Sequence, residues 1–103
     1  MRRAAKVDDN QMDIIKALRG IGASVQPLHY VGDGCPDILV GYQGENILLE
    51  IKDGAKIKSA QKLTADQKKW HAEWKGAAYV VNSEDKALEC VMRSGRYALR
   101  GSE

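Results

Sequence analysis

Between Pro36 and Asp53 the chain reads PDILVGYQGENILLEIKD, and every second residue of its two arms is apolar. Ile38, Val40 and Tyr42 precede the segment Gln43-Gly44-Glu45-Asn46; Ile47, Leu49 and Ile51 follow it. Period-two alternation on both sides of a glycine-containing turn predicts a β-hairpin with one face wholly buried. The other face carries Asp37, Glu50 and Lys52. Charges inside a fold are rare unless they pair or hold a metal.

A four-residue loop, Gln43 to Asn46, sets Leu39 opposite Glu50 and Asp37 opposite Lys52. Opposed residues point to the same side of a sheet, as do alternate residues on one strand. Asp37, Glu50 and Lys52 therefore share a face, with Asp37 and Glu50 as diagonal neighbours roughly 7–8 Å apart at their β-carbons. Two carboxylates across that gap can share one small cation, and oxygen ligands suit Mg²⁺ or Mn²⁺ rather than zinc. The backbone carbonyl of Ile51 is a further oxygen. Lys52 then stands where a phosphate oxygen or a nucleophilic water would be placed. The plainer alternative is an Asp37–Lys52 cross-strand ion pair with Glu50 at an exposed rim, an arrangement worth little.

The flanking sequence predicts an α/β fold in the order α-β-β-β-α-β-α, a mixed sheet flanked by helices. Met12, Ile14, Ile15 and Leu18 recur at helical spacing over Asp8–Gly20, with Asp8 or Asp9 as cap. Ser24–Leu28 reads as a short strand, Asp37–Tyr42 and Ile47–Lys52 as the hairpin. Thr64-Ala65-Asp66-Gln67 matches a capping box opening a helix to Trp74. Ala77–Asn82 is β-branched and reads as a buried strand. Ser83 caps a third helix ending near Met92. One domain of 103 residues is expected, with a core over 8–92 and a tail over 93–103 that frays or adds an edge strand around Tyr97–Leu99.

Pro36-Asp37, with Glu50-Ile51-Lys52 on the following strand, is the PD-(D/E)XK nuclease signature. With "VGDGCPDILVG" leading in, "NILLEIKDG" leading out and "LTADQKKWHAEW" beyond, the chain from about Asp9 to Leu88 resembles the virus-type replication–repair nuclease (VRR-NUC) branch of that superfamily. The resemblance implies a small standalone, restriction-endonuclease-like αβββαβ core. It implies a Mg²⁺-dependent endonuclease, with Mn²⁺ able to substitute, cutting branched DNA such as four-way (Holliday) junctions. Carried across by position, the metal acids fall on Asp37 and Glu50, the catalytic lysine on Lys52 and a helix glutamine on Gln67. The family also places an acid or amide from the first helix at the site. Asn10, Gln11 and Asp13 compete for that place, and Gln11, nearest the core-facing side, is chosen. The rival readings are a nucleic-acid-binding module without catalysis, and a nuclease of the same fold acting on linear DNA or RNA.

Other residues have structural readings beside the functional ones. Gln67 is either a site residue or the second half of the capping box, and one side chain is not expected to serve both fully. His71 reads as structural, Trp70 and Trp74 as packing on the sheet, with stacking on a base as the alternative for an exposed tryptophan, and Asp33 as a turn former. Lys56, Lys58 and Lys62 lie in the loop leaving the site strand and are the expected phosphate contacts; Met1, Arg2 and Arg3 open a second basic patch. Net charge is only +2, so composition alone does not demand nucleic acid. Cys35 and Cys90 lack a CxxC partner and read as reduced and packed. No apolar run reaches membrane-spanning length and no signal peptide opens the chain, so a cytoplasmic protein without a small-molecule cofactor is expected. Small size, and the two cuts that resolving a junction needs, predict a homodimer, held by Tyr97, Ala98 and Leu99 or by the first helix.

Overall fold

The computed structural model describes residues 8–99, with side chains as far as Arg93. The Met1–Arg3 patch lies outside the described residues, as do the side chains of Tyr97, Ala98 and Leu99. The elements are α1 (Gln11–Gly20), β1 (Ser24–Pro27), β2 (Ile38–Tyr42), β3 (Glu45–Ile51), a 3₁₀ turn (Lys58–Gln61), α2 (Ala65–Glu73), β4 (Ala78–Val81) and α3 (Glu84–Leu99). This is an α/β protein with a four-stranded mixed sheet in the order β1-β2-β3-β4. The first three strands form an antiparallel meander, and β4 returns parallel to β3 after the α2 crossover. Among the described residues no helix is long and apolar enough to cross a membrane.

The hairpin alternation builds the core. Ile38 and Val40 of β2, Ile47, Leu49 and Ile51 of β3, and Val81 of β4 face Ile14, Ile15 and Leu18 of α1 and Ala87 and Val91 of α3. The two helices pack on each other as well as on the sheet. Met12 is 57% exposed and takes no part. α1 begins at Gln11, with Asn10 at its N-cap and no side-chain cap bond, so neither Asp8 nor Asp9 serves as predicted.

The hairpin register differs from the expected one by two residues. Ile38 pairs with Leu49 and Tyr42 with Glu45, leaving a two-residue turn, Gln43-Gly44, instead of a four-residue loop. Both turn residues have positive φ, 50° and 82°, as in a type I′ turn whose twist matches that of the strands. A shift of two keeps every side chain on its predicted face, whereas a shift of one would have inverted all of them. The consequence is local. The paired ladder ends at Ile38–Leu49, and the Asp37 N–H still reaches the Leu49 carbonyl, so Asp37 is not held opposite Lys52 as predicted.

Two further expectations fail. β4 is an edge strand, and Tyr79 and Val80 are 43% and 46% exposed; an apolar run of four does not reveal whether both faces are covered. α3 continues through Leu99 as helix, so the Tyr97–Leu99 edge strand does not form. Gly95 is tolerated inside it at the modest cost glycine carries in a helix.

α2 has no fully buried residue, so packing on the core does not explain its position. Its N-terminus is held by the loop ahead of β2. Gly34 has φ +82°, and a β-carbon there would lie 2.4 Å from the Asp66 carbonyl oxygen. Only glycine permits that approach. Asp33, with φ 58°, is a turn residue as expected. The loop 32–35 and the start of α2 thus close together over the charged face of the hairpin.

Candidate active site

A cavity of about 230 Å³ opens where β2 and β3 leave the sheet. Asp37, Glu50, Ile51 and Lys52 line it from the hairpin, and Gln67 from α2. Asp37 is fixed by its own backbone and side chain. Its N–H donates to the Leu49 carbonyl at 3.0 Å, and its Oδ2 accepts the Ile51 N–H at 2.6 Å. The carboxylate thus takes over from the sheet ladder at the end of the hairpin. The Asp37 carboxyl is near enough to Glu50 to help raise its pKa.

Glu50 is 2% exposed. Its Oε2 accepts the Gln67 amide N–H at 3.1 Å and lies 4.0 Å from Lys52 Nζ. Its Oε1 is buried without a hydrogen-bond partner. Burial above all, and then the neighbouring Asp37 carboxyl, push its pKa up to about 9. An orphaned carboxylate oxygen costs free energy unless a proton or a cation satisfies it. The fully exposed rim position of the ion-pair alternative is therefore not where Glu50 sits.

Gln67 both caps α2 and contacts the hairpin charges. Its Oε1 accepts the Thr64 backbone N–H at 2.9 Å, and the Thr64 hydroxyl accepts the Gln67 N–H at 3.2 Å, completing the capping box. The same Oε1 accepts from Lys52 Nζ at 3.0 Å, while the amide nitrogen holds Glu50. The expectation that one side chain could not do both overlooked that a carbonyl oxygen accepts two bonds and the amide nitrogen remains free to donate. Lys52, at 12% side-chain exposure, is thereby directed along the wall of the cavity.

Gln11 is 3% exposed with its Oε1 unpartnered, and it is not among the residues lining the cavity. Asp8 is. Asp8 precedes α1 by three residues, in a turn closed where its carbonyl accepts the Gln11 N–H at 3.1 Å. Burial raises its pKa, with Asp37 adding to the effect and Lys56, 4.0 Å away, opposing it. Asn10 ties the start of α1 to the site strand by donating to the Lys52 carbonyl at 3.1 Å.

The lysines of the loop divide. Lys56 leans toward Asp8, whereas Lys58 opens the 3₁₀ turn, Lys62 follows it, and both are exposed. The loop is tied down by bonds the sequence did not announce: Gln61 donates to the Lys56 carbonyl at 2.7 Å, and Asn82 donates to Gln61 at 2.9 Å. His71 is half-buried, with Nε2 unpartnered and its pKa lowered by burial and by Lys52. It does not line the cavity, and nothing in the structure assigns it a role. Cys35 and Cys90 are free and half-buried.

Among the described residues no group of three or more His, Cys, Asp or Glu side chains is gathered to hold a metal ion. On the hairpin side of the cavity the oxygen donors are the Asp37 and Glu50 carboxylates and the Ile51 backbone, with Asp8 also in the lining. In a strand a residue's N–H and C=O project from one edge, so the Ile51 carbonyl lies on the side from which its N–H reaches Asp37. Such a set fits Mg²⁺, which is commonly bound through one or two carboxylates and completes its shell with water and substrate phosphate. The orphaned Glu50 oxygen supports that fit. Comparison with protein-family models, with curated proteins and with solved structures gives no match.

Proposed function

We propose that the chain is a divalent-cation-dependent nuclease of the PD-(D/E)XK type that hydrolyses phosphodiester bonds in DNA, with branched DNA as its substrate class. The observation that carries this reading is a buried Glu50 with one unpartnered oxygen, set against Asp37, with an amide-held lysine two residues along the same strand. Asp37, Glu50 and the Ile51 carbonyl would hold Mg²⁺ or Mn²⁺. A cation there supplies a Lewis acid for the phosphate and lowers the pKa of water. Lys52 offers an ammonium donor to the charge that builds on the phosphate oxygens. Gln67 fixes that ammonium and Glu50 relative to each other. The test is a panel of labelled duplex, flap, splayed-arm and four-way-junction DNA with Mg²⁺, Mn²⁺ or EDTA. Cutting of a branched substrate that EDTA abolishes is expected. DNA binding with no cutting on any substrate would leave only a binding module.

The two duties of Gln67 separate by mutation. Thr64→Ala removes the cap hydroxyl alone, and is expected to cost about 0.5–2 kcal/mol of stability with little change in cutting rate. Gln67→Ala also frees Lys52 and Glu50, and a loss of about 10–100-fold in rate is expected, as for other residues that orient a ligand. Thermal melts and single-turnover cutting read the two effects. Equal rates for the two variants would remove Gln67 from the site.

Lys58 and Lys62 are proposed to bind the phosphate backbone. Their joint replacement by Gln is expected to flatten the dependence of log affinity on log salt by about 0.9 for each phosphate no longer neutralised. An unchanged slope would return them to a solvated surface.

A symmetric pair of chains is the proposed working unit. β4 supports it: the strand is an edge whose AYVV sequence carries none of the charges or prolines that usually blunt one. Sedimentation with and without four-way-junction DNA is expected to show two chains; a monomer in both states would exclude the pair.

A further inference from the structure

We propose that the stacked tryptophan pair on α2 is a platform for an unpaired nucleobase beside the active site, an inference that rests on the nuclease reading and narrows its substrate. Trp70 and Trp74 were expected to pack on the sheet. Instead their rings stack on each other, with centroids 4.6 Å apart and planes 16° from parallel. Trp74 remains 48% exposed. Its indole passes close over Gly76, where a β-carbon would stand 2.9 Å from Nε1. α2 is tied to the rest of the fold by Gln67 and by the Gly34–Asp66 approach. About half of Trp74 is open to solvent, and neither tryptophan belongs to the core cluster.

Its placement identifies the occupant. Gln67, Trp70 and Trp74 follow one another at helical spacings of three and four along a single stripe. Gln67 holds Glu50 and Lys52, so the stripe starts at the site. At 1.5 Å per residue Trp74 lies about 10 Å further along the helix, roughly three steps of a stacked strand. Exposed Lys62, Lys68, Lys69 and Lys75 accompany the stripe, while the hollow at Trp70 itself is lined by Asp33, Asp66 and Glu73 with Lys69. Cationic side chains tracking a backbone beside an aromatic face are the elements of single-strand recognition. Bases within a duplex are already stacked on both faces and cannot reach such a platform. A flap, a splayed arm or the opened centre of a junction can present one.

The chain's only two tryptophans are this pair, so intrinsic tryptophan emission reports on the platform alone. Titration with an oligo-dT single strand in EDTA is expected to quench that emission. An abasic oligonucleotide of equal length and a closed-ended duplex should quench it little. Trp74→Ala should weaken oligo-dT binding roughly five- to a hundredfold, the range found for removing a stacking partner, and Trp74→Tyr should restore most of it. Equal quenching by the abasic strand, or unchanged oligo-dT affinity in Trp74→Ala, would overturn the platform. Metal-dependent cutting without oligo-dT quenching would remove the platform and leave the nuclease. Quenching without cutting would do the reverse.

Discussion

Glu50→Gln is expected to lower metal-dependent cutting by more than about a hundredfold while leaving the fold intact. Residues that merely orient a metal ligand cost about 10–100-fold when removed, and a ligand itself should exceed that range. Gln is the informative replacement because Glu50 is buried and its pKa is pushed up to about 9, so that without a cation it is protonated near neutral pH. A neutral amide of nearly the same shape should therefore fold as the wild type does. Asp37→Asn should show a similar loss in rate, and the Asn side-chain oxygen can still accept the Ile51 N–H that Asp37 accepts now. DNA affinity should survive both changes, since the proposed phosphate contacts lie on the lysine loop and along α2. Single-turnover cutting in Mg²⁺, with binding measured in Ca²⁺ or EDTA, separates the two quantities. A Glu50→Gln enzyme within tenfold of wild type would withdraw Glu50 from the chemistry.

The alternation of Ile38, Val40 and Tyr42 with Ile47, Leu49 and Ile51 was sufficient to place Asp37, Glu50 and Lys52 on one face. Side-chain parity survives an error of two in register, which is why the faces held although the turn was misjudged. What the turn did decide was which residues of β3 stand across from β2. Glu45 and Asn46 look like loop residues by propensity, yet they pair in β3 because a left-handed Gln43-Gly44 closes the hairpin. Propensity is a weak guide where turn geometry takes control. The capping box at Thr64 was legible because it is complete within one short run of sequence, Thr64 to Gln67. Asp8 and the Gln61–Asn82 link were not legible in the same way. Their partners are distant in sequence, and each residue had an adequate local reading as cap or loop. The edge position of β4 was hidden for a related reason, since strand order is a property of the whole chain and not of the strand.

In the cation-free protein, stability is expected to fall as pH rises from about 5 toward 9, and Glu50 is the group responsible. Below its ordinary value of 4.5 the folded and unfolded chains both hold the proton. Between there and about 9 the unfolded chain has released it and the folded chain has not, so each step up in pH favours unfolding. Other shifted groups work elsewhere on the scale. His71 is lowered from 6.5, so its contribution has the opposite sign and ends below neutrality. Cys35 and Cys90 are raised from 9.0 and act only above it. Asp8 is raised from 3.8 and shares the sign of Glu50, so a comparison with Glu50→Gln is needed to isolate the latter. Melting temperatures in EDTA across pH 7–9 should decline in the wild type and stay nearly flat in Glu50→Gln. For a domain of this size each kcal/mol of stability removed corresponds to about 4–8 °C. Added Mg²⁺ should restore the wild type, and more so at pH 9 than at pH 7, because a ligand that binds only the folded state stabilises it more the tighter it binds. A cation displaces the Glu50 proton on binding, so that affinity rises as protons become scarce. The same slope in wild type and Glu50→Gln would mean that the buried carboxyl is already ionised and satisfied. A wild-type decline that Mg²⁺ leaves unaltered would mean that Asp37 and Glu50 share only a proton, and that the cation site must be sought elsewhere.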